Sequence, residues 1–97
     1  MKIAGHTMGT PEHMLDAAIR LFATLGLEGI EVICQDGYRC GICPSTPQAD
    51  GQDLGRLIRE RGLEPVSLTP YTSAINALDL AERAAALDEL WRVIGLA

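Results

Sequence analysis

Residues 21–32 read LFATLGLEGIEV and residues 57–68 read LIRERGLEPVSL. Superposed, they share a leucine and a second apolar residue, then Gly-Leu-Glu, then an alternating run of Ile or Val with Val or Leu. The shared unit has a readable physics. A helix delivers apolar residues, a glycine supplies the left-handed conformation that ends it, a leucine follows, and a short β-branched strand begins. It is a helix-to-strand joint. A third copy opens at Leu90-Trp91 and reaches Gly95-Leu96, where the chain stops before a strand can follow. The copies are offset by 36 and 33 residues, the size of one helix, one strand and two short loops.

Working outward from the joints gives three helices. The first is expected to begin at Thr10 as N-cap with Pro11 at the first helical position, to carry Met14, Ala18, Leu21, Phe22 and Leu25, and to end at Gly26. The second starts near Asp50 and carries Leu54, Leu57 and Ile58 before Gly62. The third, with Asp79 as cap, carries Leu80, Ala84, Leu87, Trp91 and Ile94. All three are amphipathic, so each is expected to cover a sheet.

Three strands precede or separate them: Ile3 to Thr7, Ile30 to Cys34, and Val66 to Thr69. The order βαβαβα implies parallel pairing through crossovers, with the strands side by side in the order 1-2-3. One face carries Ile3, Gly5, Ile30, Val32, Val66 and Leu68 and is expected to lie beneath all three helices. The other carries Ala4, His6, Glu31, Ile33, Ser67 and Thr69. A parallel sheet with helices on both faces would be apolar on both. The polar second face suits the interior of a barrel near its mouth, so the fold class is α/β, a partial (β/α)8 TIM barrel of three βα units. That face is expected to lack cover.

The composition narrows the function. With 97 residues the chain holds one domain or one part of a domain. A hydrophobic fraction of 47% and a charged fraction of 22% are those of a packed globular chain. A net charge of -5 with only 8 Lys and Arg argues against nucleic acid, because phosphate binding needs clustered cations. The start lacks a signal peptide's apolar run and nothing is long enough to span a bilayer, so no membrane partner and a cytoplasmic location are expected. Three cysteines in such a chain are expected as reduced thiols.

The joint GLEGIEVICQDGY, with a glutamate inside the second strand, and the segment GLEPVSLTPYTSAINALD resemble the xylose-isomerase-like barrel family of sugar isomerases, sugar-phosphate epimerases and apurinic endonucleases. The resemblance covers essentially the whole chain. It implies the N-terminal portion of a metal-dependent sugar or sugar-phosphate isomerase or epimerase. In that family a divalent cation (Mn, Mg, Co or Zn) at the C-terminal mouth polarises the sugar's oxygens. The family's ligands come mainly from later strands, beyond where this sequence ends, so no catalytic residue and no metal ligand is assigned here. The 97 residues alone are expected to be inactive and to bind no metal. Charge disfavours the endonuclease branch.

Three residues are assigned to substrate. His6 closes the first strand on the polar face, where a neutral imidazole suits a sugar hydroxyl; the plainer alternative is a satisfied loop histidine. Glu31 is a carboxylate inside a parallel strand, where burial demands a partner, either substrate or a neighbouring strand. Tyr71 follows Thr69-Pro70 at a strand end and suits stacking over a sugar ring, or plain packing. Cys34, Cys40 and Cys43, spaced C-x5-C-x2-C, could with His6 or His13 supply four tetrahedral zinc ligands, but the spacing fits no common zinc or iron–sulfur run, and incidental thiols are the favoured reading. The glycine-containing loop from Gly5 to Thr10 matches no phosphate-binding fingerprint. The loop from Gln35 to Gln48 is, by position, a candidate lid. The alternative to a barrel piece is a small open-sheet α/β binding module with a cysteine-loop metal or redox site, recognisable by strand order 2-1-3. Unpaired sheet edges allow self-association.

Overall fold

The computed structural model describes residues 2–97. Its elements run β1 (Ala4–His6), α1 (Leu15–Thr24), β2 (Gly29–Ile33), α2 (Gln48–Glu60), β3 (Glu64–Thr69) and α3 (Leu80–Leu96), with short 3-10 turns at Thr7–Gly9 and Ser73–Asn76. The strands form one open parallel sheet in the order β1-β2-β3. The fold is α/β, as the repeat requires, and the order 2-1-3 of an open-sheet module is not adopted.

The two complete joints are built alike, bond for bond. Gly26 has φ +78 and Gly62 φ +82. Gly26 donates to the Ala23 carbonyl at 3.1 Å and Leu27 to Phe22 at 3.1 Å, while Gly62 donates to Arg59 at 2.9 Å and Leu63 to Ile58 at 3.2 Å. This is the Schellman pattern, and each leucine packs in the same core as the helix residue whose carbonyl it caps. The next residue of each joint then enters the sheet: Glu28 N–H donates to Ile3 O and Glu64 N–H to Glu28 O, both at 2.9 Å. The third copy differs, because α3 continues helical through Gly95 to Leu96.

The core lies between the sheet and the first two helices. Ile19 and Phe22 of α1 and Ile58 of α2 meet Ile30, Val32 and Leu63, all at most 5% exposed. Each such side chain contributes about 1.5–3 kcal/mol on burial. Because Ile30 and Val32 point from one face of β2, α1 and α2 share that face. Gly5 belongs to it too: a Cβ there would lie 2.8 Å from Leu27 Cδ1 and 2.9 Å from Phe22 Cε2, so glycine lets α1 close on β1.

Helix α1 starts at Leu15, not at Thr10-Pro11, because the Thr10 hydroxyl turns back to donate to the Thr7 carbonyl at 3.2 Å and residues 10–13 form a turn. Ile3 precedes β1 and is 56% exposed, with no helix over it. Val66 is 52% exposed because the β2–β3 register shifts beside it. Its Cγ1 lies 3.0 Å from where a Gly29 Cβ would be, away from the helices. Pro65 sits in β3 without cost: Glu64 N–H points to β2, so Pro65 faces the free edge, where its missing N–H breaks no ladder bond.

The largest correction concerns α3. Asp79 caps it as expected, accepting from Ala81 N at 2.8 Å and Glu82 N at 3.0 Å. Yet the residues it buries are Ala86 and Val93, on the side opposite the expected stripe. Leu80, Leu87, Trp91 and Ile94 are 71%, 43%, 69% and 55% exposed. The helix does not lie along β3. It crosses the C-terminal edge of the sheet, where Thr72 Oγ1 donates to Glu89 Oε1 at 3.4 Å and Gln48 Nε2 to Gly95 O at 3.4 Å. The cause is geometric: a crossover helix needs two strands to lie upon, and β3 has a neighbour on one side only. The displaced helix stretches the chain, whose radius of gyration of 14.1 Å exceeds the ~12.5 Å of a compact domain this size.

Candidate functional site

Parallel strands bring their C-terminal ends to one edge, and the polar face presents its side chains there. His6 pairs with Glu31 across β1–β2, and Glu31 with Ser67 across β2–β3. His6 Nε2 lies 3.3 Å from Thr69 Oγ1 and 4.0 Å from Glu31 Oε2, so the imidazole reaches across β2 and gathers one polar group from each strand. His6 Nδ1 accepts from Met8 N–H at 3.0 Å. That bond fixes the neutral tautomer: Nε2 carries the proton and points to Thr69 and Glu31. The result is a donor beside a carboxylate and a hydroxyl.

Glu31 is not buried as its place in the strand suggested. Its side chain is 43% exposed, because no described residue covers the centre of this face. Ser67 and Ala4 are exposed as well. The top of the face is covered, against expectation, by the loop after β2. Ile42 N–H donates to Ile33 O at 3.0 Å and Ile42 O accepts from Gln35 N at 2.9 Å, so the loop occupies the line of β1 beyond its end. The approach is close enough to demand glycine: a Cβ on Gly41 would stand 2.1 Å from the Ile33 carbonyl oxygen. Cys40 and Pro44 of the same loop are buried. It is a packed cover over Ile33 in this structure.

Between β1 and that loop, one polar group fills the gap in the ladder. Thr7 Oγ1 accepts from Ile33 N–H at 3.0 Å with both residues fully buried, a side chain standing where a strand carbonyl would be. Thr7 and Thr69 are the residues the sequence did not single out. The alternation of β3 put Thr69 on the polar face, but nothing in the sequence disclosed the reach of His6 to it.

Tyr71 is placed apart from this cluster. Its N–H donates to Gln35 Oε1 at 3.2 Å, and its ring meets Tyr38 edge-on, with centroids 6.4 Å apart at 75°. The pair stands at the same C-terminal edge, with Tyr71 49% and Tyr38 38% exposed. Of the three expected contacts, the structure thus joins His6 with Glu31 and gives Tyr71 an aromatic partner from the loop.

The cysteines are free thiols. Burial pushes the Cys34 thiol up to about 11, with smaller contributions from Cys43, Glu89 and Asp36. The Ser45 and Thr46 hydroxyls, 3.2 and 3.5 Å from Cys43 Sγ, hold that thiol below its ordinary value. Among the described residues, no three His, Cys, Asp or Glu side chains converge as a metal site requires. Two hollows lie away from the mouth. One of about 400 Å³ lies between α2, β3 and the end of α3, and one of about 660 Å³ lies at the opposite end of the strands beside Ile3, Gly29 and Val66. No described helix is long and apolar enough to cross a membrane. Comparison with protein-family models, curated proteins and solved structures gives no match for this chain.

Proposed function

We propose that these 97 residues are the opening three βα units of a xylose-isomerase-like barrel that isomerises or epimerises a sugar or sugar phosphate, metal-dependent when complete and cytoplasmic. The observation that carries this is the convergence of His6, Glu31 and Thr69 at the C-terminal ends of three parallel strands in the order 1-2-3. Barrel enzymes place their chemistry at that end. His6 turns its Nε2–H from Thr69 to a sugar oxygen, Glu31 accepts from a hydroxyl, and Tyr71, braced by Tyr38 at the same edge but apart from that pair, is the outlying contact. His6 and Glu31 are two donors where a catalytic cation needs several, so the residues present do not by themselves fit the metal, and no step is assigned through it. Nucleic acid and membrane are no part of this function.

The test is to express the reading frame through the DNA downstream of Ala97 and assay ketose and aldose interconversion with magnesium, manganese or cobalt. The 97-residue chain is assayed beside it. The extended protein is expected to turn over, and His6→Asn and Glu31→Gln to lower its kcat/KM by roughly tenfold, the loss of one hydrogen bond to substrate. A downstream frame with no further βα unit would overturn the proposal, as would full activity in Glu31→Gln or turnover by the short chain.

A further inference from the structure

The exposed face of α3 has a period that its own fold does not use. Leu80, Ala84, Leu87, Trp91 and Ile94 follow one another at alternating intervals of 4 and 3 residues, the seam of a coiled coil, with Leu80, Leu87 and Ile94 at d and Ala84 and Trp91 at a. All five are exposed. The helix is held to its own domain from the other side, by Ala86, Val93, the Glu89–Thr72 bond and the Gln48–Gly95 bond. Nothing has to move for the seam to be occupied.

The residues flanking the seam identify the occupant. At the e and g positions only Arg83 (g) and Asp88 (e) are charged; the rest are Ala81, Leu90, Gly95 and Ala97. In a parallel pair of identical helices, g of one faces the following e of the other, so Arg83 meets Asp88 of its copy twice, once on each side. An antiparallel pair centred on Leu87 sets Asp88 against its own copy instead. Asp88 already bonds Arg92 within its chain, an exposed pairing that leaves its other oxygen free to accept. We propose that a second copy of this chain docks on α3, the two helices running parallel about a two-fold axis with Trp91 packed against Trp91 and the Arg83–Asp88 pairs fixing the direction. This goes beyond the sugar reading and concerns the 97-residue chain, in which β3 is an edge strand and the stripe stays exposed; a further strand beside β3 would offer the same stripe a sheet to cover.

The experiment uses the 97-residue chain, analytical ultracentrifugation over a dilution series, and the emission of Trp91, the sole tryptophan. A monomer–dimer equilibrium is expected, with Trp91 emission shifting to the blue as dimer forms. Leu87→Glu and Trp91→Glu each raise the dissociation constant by at least about 30-fold, as loss of a central apolar anchor does. Both positions face solvent in the single chain, and an unchanged far-UV spectrum checks that the fold survives. Arg83→Glu and Asp88→Arg each weaken the dimer, while the double variant Arg83→Glu/Asp88→Arg restores it. A chain that stays monomeric throughout the series overturns the proposal, as does a dimer indifferent to Leu87→Glu. Failure of the double exchange to restore pairing overturns the parallel arrangement.

Discussion

Replacing Thr7 by valine removes one hydroxyl from the most enclosed polar position of the molecule and keeps its shape. Thr7 and Ile33 are both at 0% exposure, and their 3.0 Å bond is the one that bridges the end of β1 to β2. Without the hydroxyl the Ile33 N–H has no acceptor and no access to water. The net bond is worth about 1 kcal/mol and an orphaned buried donor costs about 1–3 kcal/mol, so Thr7→Val should destabilise by about 2 kcal/mol. For a domain of this size that lowers Tm by roughly 8–16 °C. Thr7→Ser keeps the hydroxyl and loses a methyl group, costing about 0.8 kcal/mol. Urea unfolding at one fixed protein concentration measures both, since dimerisation would make the midpoint concentration-dependent. Amide exchange separates the causes: the Ile33 amide should exchange faster in Thr7→Val and keep its protection in Thr7→Ser. If Thr7→Val stays within about 0.5 kcal/mol of the parent with Ile33 still protected, or if Thr7→Ser loses as much, the hydroxyl does not hold that strand end.

Other outcomes follow from single features. Gly26→Ala and Gly62→Ala place a Cβ at positive φ and should each cost about 1 kcal/mol, whereas Gly9→Ala, in open space without positive φ, should cost little; thermal melts compare them. Asp79→Ala frees two N–H groups at the start of α3 and should cost about 1 kcal/mol, with fraying of that helix seen as lower far-UV ellipticity. The thiols should differ in native alkylation at pH 8: Cys43, lowered by its hydroxyl partners and partly exposed, reacts first, and Cys34 reacts only on unfolding. Because Cys34 keeps its proton in the fold, its contribution to stability is full below the ordinary value of 9.0 and declines as pH rises to about 11. Cys34→Ser should flatten that decline, measured as urea midpoint against pH.

What the sequence determined by itself is the local chemistry. Gly26-Leu27-Glu28 and Gly62-Leu63-Glu64 carry in their residue types the conformation that ends a helix and the donors that enter a strand, so two joints, three strands and their parallel order were legible. The polar alternation of His6, Glu31 and Thr69 placed them on one face for the same reason: side chains alternate along a strand whatever surrounds it. The rest depends on where separate segments meet. The apolar period of α3 announced a face to be covered without saying that the sheet offers no second strand to cover it, so Ala86 and Val93 turned inward and Trp91 outward. Neither the return of Ile42 over Ile33 nor the reach of His6 across β2 to Thr69 has a local signal. The first closes a loop of nine residues and the second spans 63, and only the packed sheet fixes how close either comes.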